Sequence, residues 1–402
     1  MFENIFLIHN YYQSYAPSGE DNVFREDEKL LRSKGHKITL WTRHSDIINE
    51  YSLTKKIALT WQISWSSESY KAIEQLIKQN KPDIIHICNT FPLISPSVYY
   101  ACNKYQVPVV QTIQNYRLFC SAGTFFRNNS ICEECLEKGE FQAIRHRCYR
   151  GSRIHTLPIV FMQKIHKLMK TWLKYVHIFM PATEFSRQKL IQGGIPAERI
   201  MVKPNFFLNM PEPSFEIGDY VVFLGRLSVE KGIRTLLSAW NKLQDIPLKI
   251  IGDGNLRQEV ISATKSNPAI EFLGFRSNEE CIEILKKSMF MVMPSEWYEG
   301  FPMTIREAFA CGKPVVASRM GAMAEIINDS ITGLLFNPGD PSDLALKVRW
   351  LVEHKDFIVS MGKSARSEFE TKYTAEKNYE ILMNIYKRAT EISKSRNQLW
   401  KK

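Results

Sequence analysis

Short runs of Val, Ile and Leu that do not alternate with polar residues, each followed by a longer stretch of helical spacing, constrain this chain most. A strand that is apolar on both sides must be covered on both faces, so these runs belong to parallel sheets lined by helices. The pattern occurs twice. In the first half, residues 5–8, 37–41, 84–87, 109–113 and 178–180 read as strands, with helices over 23–34 and 69–79. In the second half the strands are 220–224, 248–251, 270–273, 289–293, 315–317 and 333–336. The helices there are 233–243, 256–265, 278–287, 303–311 and 341–352. Two more helices, 360–369 and 375–394, follow the last strand, and the second sets Tyr379, Leu382, Met383, Ile385, Tyr386 and Ala389 on one stripe.

Each half is therefore expected to be a Rossmann-like, doubly wound α/β domain, and 402 residues suffice for two such cores. Prolines cluster over 204–219, which divides the chain into 1–205, 206–373 and a terminal helical segment, 374–402. Ligands of such sheets bind outside the carboxyl ends of the strands, so the active site is expected in a cleft between two facing sheets. No stretch reaches the roughly 18 apolar residues of a spanning helix, and the first residues, MFENIFLIHNYY, lack a basic leader. The opening apolar run reads as the first core strand of a cytoplasmic protein.

The densest chemistry lies in PSEWYEGFPMTIREAFACGKPVVAS, residues 294–318. Glu299 leaves a buried strand just before a Gly-Phe-Pro turn, and Glu307 lies in the helix that starts near Met303. A helix N-terminus offers unpaired N–H groups to an anion, and a carboxylate accepts from paired sugar hydroxyls. A second piece, Gly225-Arg226-Leu227-Ser228-Val229-Glu230-Lys231-Gly232, joins a strand to a helix with two glycines and two cations, as a diphosphate requires. A third, Ile251-Gly252-Asp253-Gly254, with Phe272-Leu273-Gly274-Phe275 after it, lets a flat base approach the backbone or simply makes tight turns.

These motifs, in this order and spacing, resemble those of the retaining glycosyltransferases of family 4, proteins of two Rossmann-like domains (the GT-B type). The resemblance implies that Arg226 and Lys231 hold the donor diphosphate and that Glu307 binds the ribose. It implies that Glu299, with the backbone of Gly300, Phe301, Pro302 and Met303, faces the transferred sugar; Gly252 and Phe275 of the third motif are the residues expected at the base. It also implies that the terminal segment 374–402 crosses back to the N-terminal domain and that no catalytic metal is needed; no Asp-x-Asp motif occurs in the sequence. In the first half, Pro17-Ser18-Gly19-Glu20 resembles the family's glycine-rich loop, with Gly19 toward the phosphates and Glu20 on the acceptor side. Gln114 stands where the family commonly has a histidine near the sugar, and an amide bonds a hydroxyl but does not titrate.

Cys120, Cys132, Cys135 and Cys148 form C-x11-C-x2-C-x12-C within an insertion over 116–153. That spacing is compatible with a tetrahedral structural zinc, with a pair of disulfides or with free thiols. The formal charge of +11 is concentrated between 141 and 183, where eight Lys and Arg occur without Asp or Glu: Arg145, Arg147, Arg150, Arg153, Lys164, Lys167, Lys170 and Lys174. Over 158–178 apolar residues recur at helical spacing beside the lysines. Such a helix suits an anionic membrane surface, or a sheet face with a solvated lysine edge.

The resulting expectation is transfer of a hexose-type residue from a nucleotide diphosphate sugar, with a uridine diphosphate sugar as donor. The acceptor is a polysaccharide or lipid-linked oligosaccharide, and the anomeric configuration is retained. Peripheral association with the inner face of the cell membrane goes with such an acceptor. The rival enzymatic reading is a nucleotide-sugar epimerase or hydrolase on the same fold. A rival of another class is a zinc-containing nucleic-acid-binding protein, which leaves Arg226, Lys231 and Glu307 without a role; nucleic acid is not an expected partner.

Overall fold

A computed structural model of the chain describes residues 2–14 and 19–399. They form two compact units, one of residues 2–125, 133–203 and 378–399, the other of 126–132 and 204–377.

The first unit holds a five-stranded parallel sheet in the order Lys37–His44, Asn4–Tyr11, Ile84–Asn89, Val109–Ile113, Ile178–Pro181. The unalternating strands are buried along their length, as in IFLIHN at residues 5–10, while the edge strand Lys37–His44 is mixed. The chain runs outward from Asn4–Tyr11 to one edge, then returns to build the other side from Ile84–Asn89. The sheet thus has its switch point between those two strands.

Covering one face of this sheet is the end of the helix Ala375–Leu399. Its Leu382, Ile385, Tyr386 and Ala389 are buried with Ile5, Leu7, Phe24, Ile84, Val110 and Ile178. The Tyr386 hydroxyl lies 2.9 Å from His86 Nδ1, and His86 Nε2 lies 2.6 Å from Thr112 Oγ1. Burial pushes His86 down to about 4, so the ring is neutral at pH 7. Lys203 Nζ donates to Asp27 Oδ1 at 2.9 Å, an ion pair with both side chains buried.

The second unit holds a six-stranded parallel sheet in the order Ile270–Gly274, Leu248–Ile251, Val221–Leu224, Met291–Met293, Val315–Ser318, Gly333–Phe336. Its switch point falls between Val221–Leu224 and Met291–Met293. Helices Ile233–Trp240 and Pro341–Glu353 close one face around Trp240, whose Nε1 donates to the Ile246 carbonyl at 2.9 Å.

One expected element divides. The helical spacing over 158–178 becomes the helices Arg153–Leu168 and Thr171–Tyr175, because Lys170 takes a left-handed φ of 56° and ends the regular turn. Pro158 is accommodated within the first of them, in its second turn. The stripe divides too: Ile159, Met162, Trp172 and Val176 are buried, whereas Phe161, Leu168 and Met169 are exposed.

Candidate functional site

The two loops at the second unit's switch point are those that carry Lys231 and Glu299. The first runs from Gly225 through the 3-10 turn Val229–Lys231 to Gly232, whose φ of 70° turns the chain into the helix Ile233–Trp240. The neighbouring strand end packs against it so closely that a Cβ on Gly252, at φ +140°, would lie 1.9 Å from the Gly225 carbonyl oxygen. Only glycine fits there.

Lys231 Nζ donates to Glu299 Oε1 at 2.7 Å, and Ser295 Oγ donates to the same oxygen at 2.8 Å. The ammonium also stands 5.6 Å from the centre of the Trp297 ring. With side chains 19% and 7% exposed, the pair is largely out of water, where an uncompensated charge would be costly. Two polar groups of the same loops, Ser228 Oγ and Trp297 Nε1, are buried with no hydrogen-bond partner among the described residues. Together they make a cation, a carboxylate and two unsatisfied polar groups beside a glycine-lined strand end.

Arg226 does not join that pair. It reaches Glu230 Oε1 at 3.2 Å and leaves 60% of its side chain exposed. Glu307 sits on the helix Met303–Ala310 with its side chain 15% exposed and Arg306 Nη2 at 3.8 Å. Burial raises its carboxyl above the usual range, and the Arg306 charge opposes this. Pro302 precedes the helix with no side-chain cap; the Ile305 N–H donates to the Pro302 carbonyl at 3.1 Å, and no capping side chain covers the N–H groups of Met303 and Thr304 before it. Gly300 is partly buried, Phe301 is buried edge-on against Tyr373 at 5.5 Å, and Met303 Sδ accepts from Asn205 Nδ2 at 3.4 Å. Phe275, just past the strand Ile270–Gly274, is 75% exposed.

Gly19 and Glu20 open the helix Gly19–Ser33 of the first unit; Pro17 and Ser18 lie outside the described residues. Glu20 accepts from Asn115 Nδ2 at 2.7 Å and from the Tyr12 hydroxyl at 3.2 Å. Burial raises its carboxyl, against the pull of Asn115 and Arg117. Gln114 lines a small cavity of ≈ 70 Å³ with Asn115 and Arg117. Sequence reasoning missed the buried contact of His9 Nε2 with Asp21 Oδ1 at 2.8 Å beneath this group. No regular spacing links a strand residue to a helix residue, so no periodic signal could have found it.

Among the described residues, no group of three or more His, Cys, Asp or Glu side chains is placed to hold a metal ion, the segment of Cys120, Cys132, Cys135 and Cys148 included. Ion pairs tie that insertion to its neighbours. Lys167 donates to buried Glu140 at 2.7 Å, and Lys189 to Glu133 at 2.7 Å. Burial pushes the Glu140 carboxyl up, but Lys167 and Lys164 hold it below the usual range. Glu140, just outside the basic run, thus neutralises part of it. No helix among the described residues is long and apolar enough to cross a membrane.

Two family models match the chain, glycosyl transferases group 1 over residues 211–368 and Glycosyltransferase Family 4 over residues 28–207. An uncharacterized glycosyltransferase of Methanocaldococcus jannaschii, MJ1178, is 35% identical over 180 residues, 44% of this chain and 50% of that one. The chain thus spans half the length of that relative. Sulfoquinovosyl transferase SQD2 of Arabidopsis thaliana is 26% identical over 371 residues, 88% of this chain and 67% of that one. Among solved structures, HepE of Anabaena in complex with UDP and glucose has a TM-score of 0.65 at 17% identity, over 95% of this chain and 99% of that one. A glycosyltransferase from Rickettsia africae has a TM-score of 0.67 at 17% identity, over 96% and 98%. At these identities the structural likeness is one of fold.

Proposed function

The chain belongs to the family 4 glycosyltransferases, with the GT-B fold, and on that premise we propose that it transfers a hexose-type residue from a uridine diphosphate sugar to a polysaccharide or lipid-linked oligosaccharide. The anomeric configuration is retained, no divalent metal takes part, and the protein works at the inner face of the cell membrane. The observation that carries this reading is the Lys231–Glu299 pair at the switch point of the second sheet.

Breaking the bond between the anomeric carbon and the phosphate oxygen builds negative charge on the departing diphosphate and positive charge on the sugar. Fixed cations at the diphosphate stabilise that separation. Lys231 supplies a point charge and Arg226 a fork of donors. Glu299, already oriented by Ser295, accepts from sugar hydroxyls, and Glu307 accepts from the ribose. The backbone N–H groups of Gly300, Phe301 and Met303 complete the sugar's surroundings, with Gly252 and Phe275 at the base. Gly19 serves the donor phosphates, and Glu20 and Gln114 belong to the acceptor and sugar side. Glu20, Asn115 and Tyr12 form a polar group suited to a hydroxyl-bearing acceptor.

Thermal unfolding against a panel of nucleotide sugars tests the donor, because a ligand of the native state raises the midpoint with concentration. A uridine diphosphate sugar is expected to shift it in the presence of chelator, and NMR of the product is expected to show the donor's anomeric configuration. An inverted product or an absolute need for a divalent ion overturns the mechanism. The nucleic-acid reading is weakened by Glu140 and Glu133, which take up lysines of the basic segment and its flank.

A further inference from the structure

The first unit carries a cleft of ≈ 650 Å³ that begins at Tyr12 of the Glu20, Asn115 and Tyr12 group. Tyr12, Gln13, Phe91 and Pro92 line it, so it opens from the loops that follow Asn4–Tyr11 and Ile84–Asn89, the switch point of the first sheet. Its charged lining is of one sign. Lys56, Arg117 and Arg150 face it, with His155 as a further N–H donor, and no Asp or Glu is among the described lining residues. Arg117 is held in place from behind: its Nη1 donates to the Ser121 carbonyl at 2.7 Å, and its guanidinium stands 4.2 Å from the Phe91 ring centre. Its Nε is buried with no hydrogen-bond partner among the described residues.

The rim of the cleft is apolar and exposed. The helix Leu53–Gln62 has no buried residue, and Leu53, Ile57 and Trp61, four apart on one stripe, are 75%, 57% and 68% exposed. Facing it, the helix Arg153–Leu168 exposes Ile154, Leu157 and Phe161, also at helical spacing. The two stripes meet where the Trp61 and Phe161 ring centres lie 6.1 Å apart. An apolar surface shared by two helices above a cationic cleft is matched by one ligand chemistry, an anionic phosphate head joined to a hydrocarbon chain.

We propose that this cleft is the acceptor site and takes a polyisoprenyl diphosphate carrying a glycan. The diphosphate lies among Lys56, Arg117, Arg150 and His155, and the chain passes over the stripes of Ile57, Trp61, Ile154 and Leu157 into the bilayer. This rests on the glycosyltransferase reading and narrows its acceptor. The test is co-flotation of the full chain with phosphatidylcholine vesicles doped with a polyisoprenyl diphosphate. Phosphatidylglycerol vesicles of matched charge, and free pyrophosphate as competitor, are run alongside.

Retention is expected to be strongest on the polyisoprenyl diphosphate vesicles. Lys56→Ala and Arg150→Ala, both at exposed positions, should each weaken it about fivefold. The double variant Ile57→Ser, Trp61→Ser should abolish retention on either vesicle while the thermal shift with UDP stays that of the wild type. Equal retention on the two vesicle types, retention untouched by the cation variants, or no retention at all overturns the proposal. Failure of the donor reading is separately visible, as a wild-type chain whose midpoint UDP does not move.

Discussion

Lys231 and Glu299 are 68 residues apart in the chain and 2.7 Å apart in the fold. What joins them is topology. Each lies in the loop after one of the two central strands, between which the sheet reverses its order, so a cation and a carboxylate read from distant motifs share one crevice. Without ligand each is the other's counter-charge, and Ser295 fixes the carboxylate.

Lys231→Ala is expected to abolish UDP stabilisation and to destabilise the second unit, because it strands Glu299 with 7% of its side chain exposed. A loss of roughly 1.5–3 kcal/mol in nucleotide binding is the scale for a charge-assisted contact to phosphate. Arg226→Ala, at a side chain 60% exposed, should weaken nucleotide binding and leave the unfolding midpoint in place. Titration calorimetry beside thermal unfolding separates the two, and wild-type nucleotide affinity in the lysine variant would remove the site assignment.

Glu307 should show the opposite sign in stability. Burial raises its carboxyl, so the folded state holds a proton more readily than the unfolded one, and stability is lost as pH rises from the unfolded carboxylate range through the raised folded value. Glu307→Gln is therefore expected to raise the unfolding midpoint at pH 7 while lowering UDP affinity. A variant that loses both stability and affinity would mark Glu307 as structural.

The strands were legible because burial on both faces leaves an unmistakable apolar run: 109–113, 248–251 and 333–336 fall on the strands Val109–Ile113, Leu248–Ile251 and Gly333–Phe336. The helix Leu53–Gln62 was not read, although Leu53, Ile57 and Trp61 recur four apart, because ten residues with β-branched Thr54, Ile57 and Thr60 among them give a short and weak helical signal. Within the site, the strand-end glycines and carboxylates could be read from motif context. The partner of each charge could not. Arg226 looked equivalent to Lys231 in sequence, yet it pairs within its own loop because its side chain points to solvent.

Gly252→Ala tests the close approach of the two strand ends. The new methyl would sit 1.9 Å from the Gly225 carbonyl oxygen at φ +140°, so backbone must move in the loop that carries Arg226. The expected result is loss of UDP binding with a destabilised second unit, by more than the ~1 kcal/mol of an ordinary helix or strand change. Gly35→Ala, also at positive φ but with nothing within 4 Å of the added carbon, is the control and should cost far less. Similar midpoints for the two variants would show that contact with Gly225 is not what excludes a side chain.

His86 gives the first unit a pH dependence. Its ring is pushed down to about 4 by burial, whereas in the unfolded chain it titrates near ~6.5. Below that unfolded value the unfolded state takes up a proton that the native state refuses. The stabilisation is therefore complete above ~6.5, falls by about 1.4 kcal/mol per pH unit below it, and levels off near the folded value. His86→Gln should flatten the drop in urea midpoint between about pH 7 and 5, and an unchanged slope would assign it to other groups, His177 included, which burial lowers to about 3.

Ending the chain at Tyr373 removes the helix whose Leu382, Ile385, Tyr386 and Ala389 are fully buried on the first sheet. Each large apolar side chain lost from such a place withdraws roughly 1.5–3 kcal/mol and leaves its partners Ile5, Leu7 and Phe24 facing water. The His86 ring would lose its Tyr386 hydroxyl at the same time. A cut after Lys394 is milder but not silent, because Arg396 Nη1 donates to the Lys174 carbonyl at 2.8 Å and ties the end of the helix to the unit it covers. The expected order is therefore an aggregating protein for the first cut, and for the second a soluble one with its midpoint lowered by about 1 kcal/mol, the usual value of one hydrogen bond. Size-exclusion chromatography and thermal unfolding measure both. A soluble, fully active chain ending at Tyr373 would mean that the first sheet does not depend on this helix for its cover.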